Sequence, residues 1–141
     1  MIINLVKLIG FDFGMKYIGI AVGQSITLTA TPVTSLKVKD GIPNWNEVAS
    51  LIAEWKPSKL IVGLPLNMDG SSQALTSCAQ KFVNRLYKRY HLPVDTVDER
   101  LSTWEAKQYF KVNPRKKEDL VHLNATAAAI LVEQWLHSIG N

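Results

Sequence analysis

The stretch IGFDFGMKYIGIAVG, Ile9 to Gly23, sets one carboxylate, Asp12, in otherwise apolar sequence and follows it with three glycines and a lysine. Leu5 to Phe13 and Tyr17 to Gly23 are rich in β-branched and apolar residues, and Gly14-Met15-Lys16 between them reads as a hairpin turn. Two readings of the acid follow. Asp12 satisfies backbone donors in its own tight turn, or it presents an oxygen ligand at a place where glycines allow a phosphate backbone to approach.

Outward from the hairpin, a third strand is expected over Thr27 to Thr31, ending before Pro32. The segment PNWNEVASLIAEW predicts a helix with Asn44 as N-cap, Glu47 three residues on, and Val48, Leu51, Ile52 and Trp55 as its apolar face. KLIVGL, residues 59–64, reads as a short buried strand and PLNMDGSS as a loop. Leu75, Cys78, Ala79, Phe82, Val83, Leu86 and Tyr90 recur at helical spacing. PVDTVDE is a further strand, STWEAKQYF a helix opened by a Ser102–Glu105 capping box, and Asn124 to Ser138 a last helix, with Asn124 as its cap. A three-strand meander followed by alternating helix and strand predicts an α/β domain with a mixed sheet. The 141 residues suffice for one domain, 1–141, with a core of its own.

Composition narrows the function classes. No apolar run approaches the roughly 20 residues of a membrane span. The amino-terminal MIINLVKLIG lacks the basic region and cleavage site of a signal peptide. The single cysteine, Cys78, forms no intrachain disulfide framework. A cytoplasmic protein is expected. Between Lys81 and Lys117 ten Lys or Arg face four acids, a local charge of +6; the whole chain carries +4, so the remainder carries −2. Such a basic segment suits a polyanion, because each neutralised phosphate releases counterions; it equally suits a solvated surface.

A second group of acids, Asp98-Glu99 followed by Arg100, closes the PVDTVDE strand. Alternation puts Val94, Thr96 and Asp98 on one face and Asp95, Val97 and Glu99 on the other. Carboxylates from a first strand and a distant strand end form an oxygen-rich site of the kind Mg²⁺ takes, together with water and phosphate oxygens. They serve equally as helix caps or surface ion pairs. The GLPLNMDGS loop offers Asn67 and the Gly70–Ser72 amides to a phosphate, or is simply a turn and cap. Tyr87, Tyr90 and Trp104 lie in the basic segment and could stack on unpaired bases; Trp104 is the best placed, and helical spacing favours packing over stacking for Tyr87 and Tyr90.

Taken in order, FDFGMKYIGIAVG, IVGLPLNMDGS, DERLSTWEA and NATAAAILVEQWL resemble the YqgF family, related to the RuvC-type Holliday junction resolvases, across nearly the whole chain. The resemblance implies a ribonuclease H-like fold, a five-stranded mixed sheet whose first three strands are an antiparallel meander, flanked by helices. It implies a nuclease acting on the 5′ end of pre-16S rRNA or on branched DNA junctions, with Mg²⁺ or Mn²⁺ as cofactor. The family's acids fall on Asp12 and Glu99, with Asp98 beside the latter. Its last-helix acid falls on Asn124, an amide that can ligate a hard cation yet brings no charge and no base. By position rather than by resemblance, Lys16 across the turn would contact phosphate as a cation or stand as a solvated turn lysine; Arg100 would hold the substrate strand, with Asn67 and Trp104 as further substrate contacts. Trimming one RNA end needs a monomer, and two symmetric cuts in a junction a homodimer.

Two other classes stand beside this one. A non-catalytic nucleic-acid-binding module would explain Asn124, and retained acids facing phosphate argue against it. An actin- or Hsp70-like ATP-binding half would share the Asp-x-Gly hairpin. That fold needs a second such hairpin, absent from these 141 residues.

Overall fold

The structure is a computed structural model that describes residues 6–64, 74–98 and 117–139. In chain order the elements are β1 (Lys7–Asp12), β2 (Tyr17–Gln24), β3 (Thr29–Lys39), β4 (Ile42–Pro43), α1 (Trp45–Trp55), β5 (Lys59–Leu64), α2 (Ala74–Tyr90), β6 (Val94–Asp98) and α3 (Lys117–Ile139). The strands form one sheet in the order β4-β3-β2-β1-β5-β6. Strands β1, β2 and β3 pair antiparallel, and β1, β5 and β6 run parallel. This is the expected mixed α/β sheet with its leading meander. It has six strands rather than five, because Ile42–Pro43 adds a two-residue pairing against Val38 and Lys39.

The third strand runs eight residues beyond its expected end at Thr31, straight through Pro32. Two features permit this. The ladder shifts register between Ile20 and Ala21, opposite Pro32 and Thr34, and β4 pairs only with the far end of β3, so Pro32 is not asked for a hydrogen bond on that side. Proline is tolerated in sheets at such bulges and edges.

Both faces of the sheet are covered, which is why the central strand β1 is buried at five consecutive positions. On one face Ile9, Phe11, Ile18, Ile20, Leu60 and Val62 pack against Val48 of α1 and Ala79, Phe82 and Leu86 of α2. Phe82 is the keystone of that layer: Phe11 meets it edge-on at 5.4 Å and Trp45 stacks at 5.8 Å. Helix α1 begins as expected, with Asn44 Oδ1 accepting from the Asn46 N–H at 2.9 Å. Asn44→Ala is expected to cost about 1 kcal/mol, a fall of about 4 °C in the thermal midpoint; an unchanged melt would show the cap contributes nothing. Trp55, expected in the apolar face of α1, is instead 36% exposed at the helix end.

Among the described residues the other face is covered by α3, and it is built for close approach. Leu8 and Ile61 meet Val132 and Leu136, while Ala21 meets Ala128 and Ala129. A Cβ on Gly10 would overlap Val132, and one on Gly19 would overlap the backbone carbonyl of Asn124. The carboxylate of Glu133 accepts from the Ala30 N–H at 3.3 Å. At the far end, Asp95 Oδ2 accepts from Trp135 Nε1 at 3.0 Å and pairs with Lys59 Nζ at 2.9 Å, which also lies over the Trp135 ring. These contacts fix both the height and the register of α3. No described helix is long and apolar enough to cross a membrane.

Candidate active site

Asp12 is the last residue of β1 and stands at the carboxyl edge of the parallel strands. Its partners across the ladder are Gly19 on β2 and Gly63 on β5. Gly19 in turn pairs with Ser35 and Gly63 with Val97, giving a row Ser35–Gly19–Asp12–Gly63–Val97 across five strands. Cross-strand partners share a face, and Gly19 lies under Asn124, so this row faces α3. The carboxylate therefore has no side chain beside it on either neighbouring strand, a gap of about 4.8 Å to each side. Phe11 and Phe13, on the alternate positions, point into the opposite core.

Asp12 is only 9% exposed and is the only buried acid among the described residues. Placing a carboxylate there is costly unless it is paired, hydrogen-bonded or ligated to a cation. Burial at this level excludes a solvated surface acid and is compatible with both a hydrogen-bonded carboxylate and a ligating one. Twenty-three residues away the Ser35 hydroxyl oxygen is buried with no hydrogen-bond partner, two strands over on the same row. The sequence carried no signal for Ser35, since only the register reveals its place.

Asn124 reaches this row from above. Helix α3 begins at Lys117, seven residues before the expected start, so Asn124 is not its N-cap. The cause is local: Lys117–Leu123 contains no glycine or proline and is rich in good helix formers, and Leu123 is held in a cluster with Ala127. Glu118 and Asp119 belong to the same helix. Asn124 is thus a mid-helix residue whose backbone needs no capping, and its position over Gly19 sets it one strand from Asp12.

Lys16 lies in the four-residue connection between β1 and β2, exposed, and its carbonyl accepts from the Val38 N–H at 2.9 Å. It shares the edge with Asp12. Strand β6 ends at Asp98, one register step beyond the Asp12 row and two strands over, about 10 Å away. The side chain of Asp98 and all of Asn67, Glu99, Arg100 and Trp104 lie outside the described residues. Among the described residues no three His, Cys, Asp or Glu side chains converge. Those present, a carboxylate and an amide carbonyl, are hard oxygen donors and fit a hard divalent cation rather than a soft one.

A buried acid at the carboxyl edge of a sheet led by an antiparallel meander, under a small-residue helix, is the arrangement of a ribonuclease H-like fold. Solved structures agree. Thermus thermophilus RuvC in complex with a Holliday junction substrate superposes with a TM-score of 0.57 at 16% identity, covering 96% of each chain. The fowlpox virus resolvase in complex with junction DNA gives 0.57 at 14% identity, covering 96% of this chain and 99% of that one. The family profile described as "RuvX: Holliday junction resolvase" matches residues 6–138, and the chain belongs to that family. Relatives named "Putative pre-16S rRNA nuclease" include a Shewanella oneidensis protein, 46% identical with 96% of both chains covered. A Coxiella burnetii protein of the same name is 48% identical over 98% of this chain and 96% of its own.

Proposed function

We propose that this chain is a divalent-metal-dependent nuclease that hydrolyses phosphodiester bonds in structured nucleic acid, its substrate the 5′ end of a pre-16S rRNA. The observation that carries the reading is the buried Asp12 carboxylate at the carboxyl end of the central strand, with glycines, Gly19 and Gly63, as its partners on both neighbouring strands. The substrate rests on the name its relatives bear. Branched DNA is the second reading, favoured by the fold likeness to two resolvases solved with junctions.

Asp12, Glu99 and Asn124 would hold the metal. The family resemblance supports Glu99 over Asp98 as the second carboxylate, and within β6 it is odd-numbered Val97 that lies on the α3 face Asp12 shares, while Val94 belongs to the α1–α2 core. Bound there, Mg²⁺ or Mn²⁺ would supply an acidified water and neutralise charge on the scissile phosphate. The chain's own part is to fix Asp12 at the strand end, to exclude side chains through the two glycines, and to offer Lys16 as a cation toward the substrate backbone. Arg100, Asn67 and Trp104 are assigned to the same strand of nucleic acid.

The test is cleavage of an end-labelled pre-16S 5′-leader RNA and of a four-way DNA junction, each with Mg²⁺, Mn²⁺ or EDTA. Metal-dependent cutting of the RNA at a defined position supports the reading; cutting of the junction alone would replace the substrate, and cutting undiminished in EDTA would refute the metal. Asn124→Asp adds a charge beside Asp12 and is expected to lower the Mg²⁺ concentration for half-maximal rate by about tenfold. An unchanged Mg²⁺ dependence would remove Asn124 from the site.

A further inference from the structure

Helix α2 carries no acid, and its outward side bears a row of cations, Lys81, Arg85 and Lys88, at i, i+4 and i+7. All three are exposed, and none forms an ion pair among the described residues, where Lys59–Asp95 is the pair present. Compensation of the helix dipole accounts for basic residues in the last turn, Lys88 and Arg89, but not for Lys81 and Arg85 in the middle. Arg89 has a packing role, lying 4.2 Å from the Trp45 ring centre.

Beside this row runs a groove of about 360 Å³ between α2 and β6, lined by Val83, Asn84, Tyr87, Lys88, Val94 and Asp95 among others. Tyr87, assigned to packing by its spacing, is 57% exposed. Its ring is steadied edge-on by His91 at 6.4 Å. The groove thus offers an open aromatic face, an apolar floor, an amide and a lysine. Its carboxylate, Asp95, is already engaged by Lys59 and Trp135. Exposed aromatics beside a cationic track are the composition of single-strand binding sites, where a base stacks and the backbone follows the charge.

We propose that the α2–β6 groove binds a single-stranded stretch of nucleic acid, one base stacked on Tyr87 and its phosphates along Lys81, Arg85 and Lys88. The surface lies on the face of the sheet opposite Asp12. Helix α2 leads back from the cleavage edge for 17 residues, about 25 Å, so the groove would hold an unpaired tail at a distance from the cut. The inference rests on the nucleic-acid half of the proposed function and not on the chemistry at Asp12.

The test is fluorescence anisotropy in EDTA with labelled 12-nucleotide RNA and DNA strands and a blunt duplex, across a salt series. For the single strands, Tyr87→Ala is expected to weaken binding about tenfold and Tyr87→Phe to stay near wild type; the blunt duplex should bind all three alike. The triple variant Lys81→Ala, Arg85→Ala, Lys88→Ala should flatten the slope of log K against log salt by about 2. A preference for RNA or DNA identifies the source of the tail. Single-strand affinity and salt slope unchanged in these variants, in a wild type that cleaves, would overturn the groove and leave the nuclease standing. Tyr87-dependent binding by a wild type that never cleaves would uphold the groove and refute the nuclease. No binding of any nucleic acid would overturn both.

Discussion

Asp12→Asn is expected to lower metal-dependent cleavage at least about 10³-fold while leaving the fold intact and nucleic-acid binding equal or tighter. The substitution is isosteric, so the packing of β1 between its two helical layers is undisturbed. What it removes is the charge of the buried carboxylate. Charge stabilisation by a bound metal is worth several kcal/mol, and each 1.36 kcal/mol lost is a factor of ten in rate. Binding should not fall, because a negative group facing phosphate has been neutralised. Single-turnover rates with RNA, paired with a thermal melt and anisotropy, check each part. Cleavage at the wild-type rate would show that the reacting centre is elsewhere.

Gly19→Ala is expected to destabilise the protein by about 3 kcal/mol, a fall of about 10 °C in the thermal midpoint, and to lose activity with it. A Cβ at this position meets the carbonyl of Asn124 and comes within 3.1 Å of the Ala125 nitrogen. These are backbone atoms of a helix pinned at its other end by Glu133 and Trp135, so relief requires lifting α3 from the sheet. That movement carries Asn124 away from Asp12. Gly23→Ala is the contrasting case, since its nearest new neighbour is a side-chain methyl of Val132, which can give. A Gly19→Ala protein that melts with wild type would show that α3 does not seat on β2 as described.

The hairpin, the strand over residues 59–64, a strand within PVDTVDE, the Asn44 cap and an acid in the first strand were all readable from residue order, because each rests on neighbours a few positions apart: turn glycines, apolar runs, a cap and its first turn; that Asp12 ends β1 was not. The ordered motifs extended that reading to the family. They did not extend it to every site residue, and the roles of Glu99, Arg100, Asn67 and Trp104 remain part of the proposal.

What the tertiary structure decided was everything that depends on contacts distant in sequence. Pro32 reads as a strand end, yet β3 continues because a bulge and an open edge remove the demand for its missing N–H. Asn124 is the exception, a misreading of local signals: it reads as a cap, yet the run of helix formers before it carries α3 past it. Tyr87 reads as packing, yet the core closes around Phe82 and Leu86 and leaves it outside. The face of Asp12 could not be read locally at all: a central strand buried on both sides shows no alternation. Only its pairing with Gly19, under the backbone of Asn124, turns an isolated acid into a site. Local propensities are weak, of order 1 kcal/mol per residue, and the burial of two layers against one sheet outweighs them wherever the two disagree.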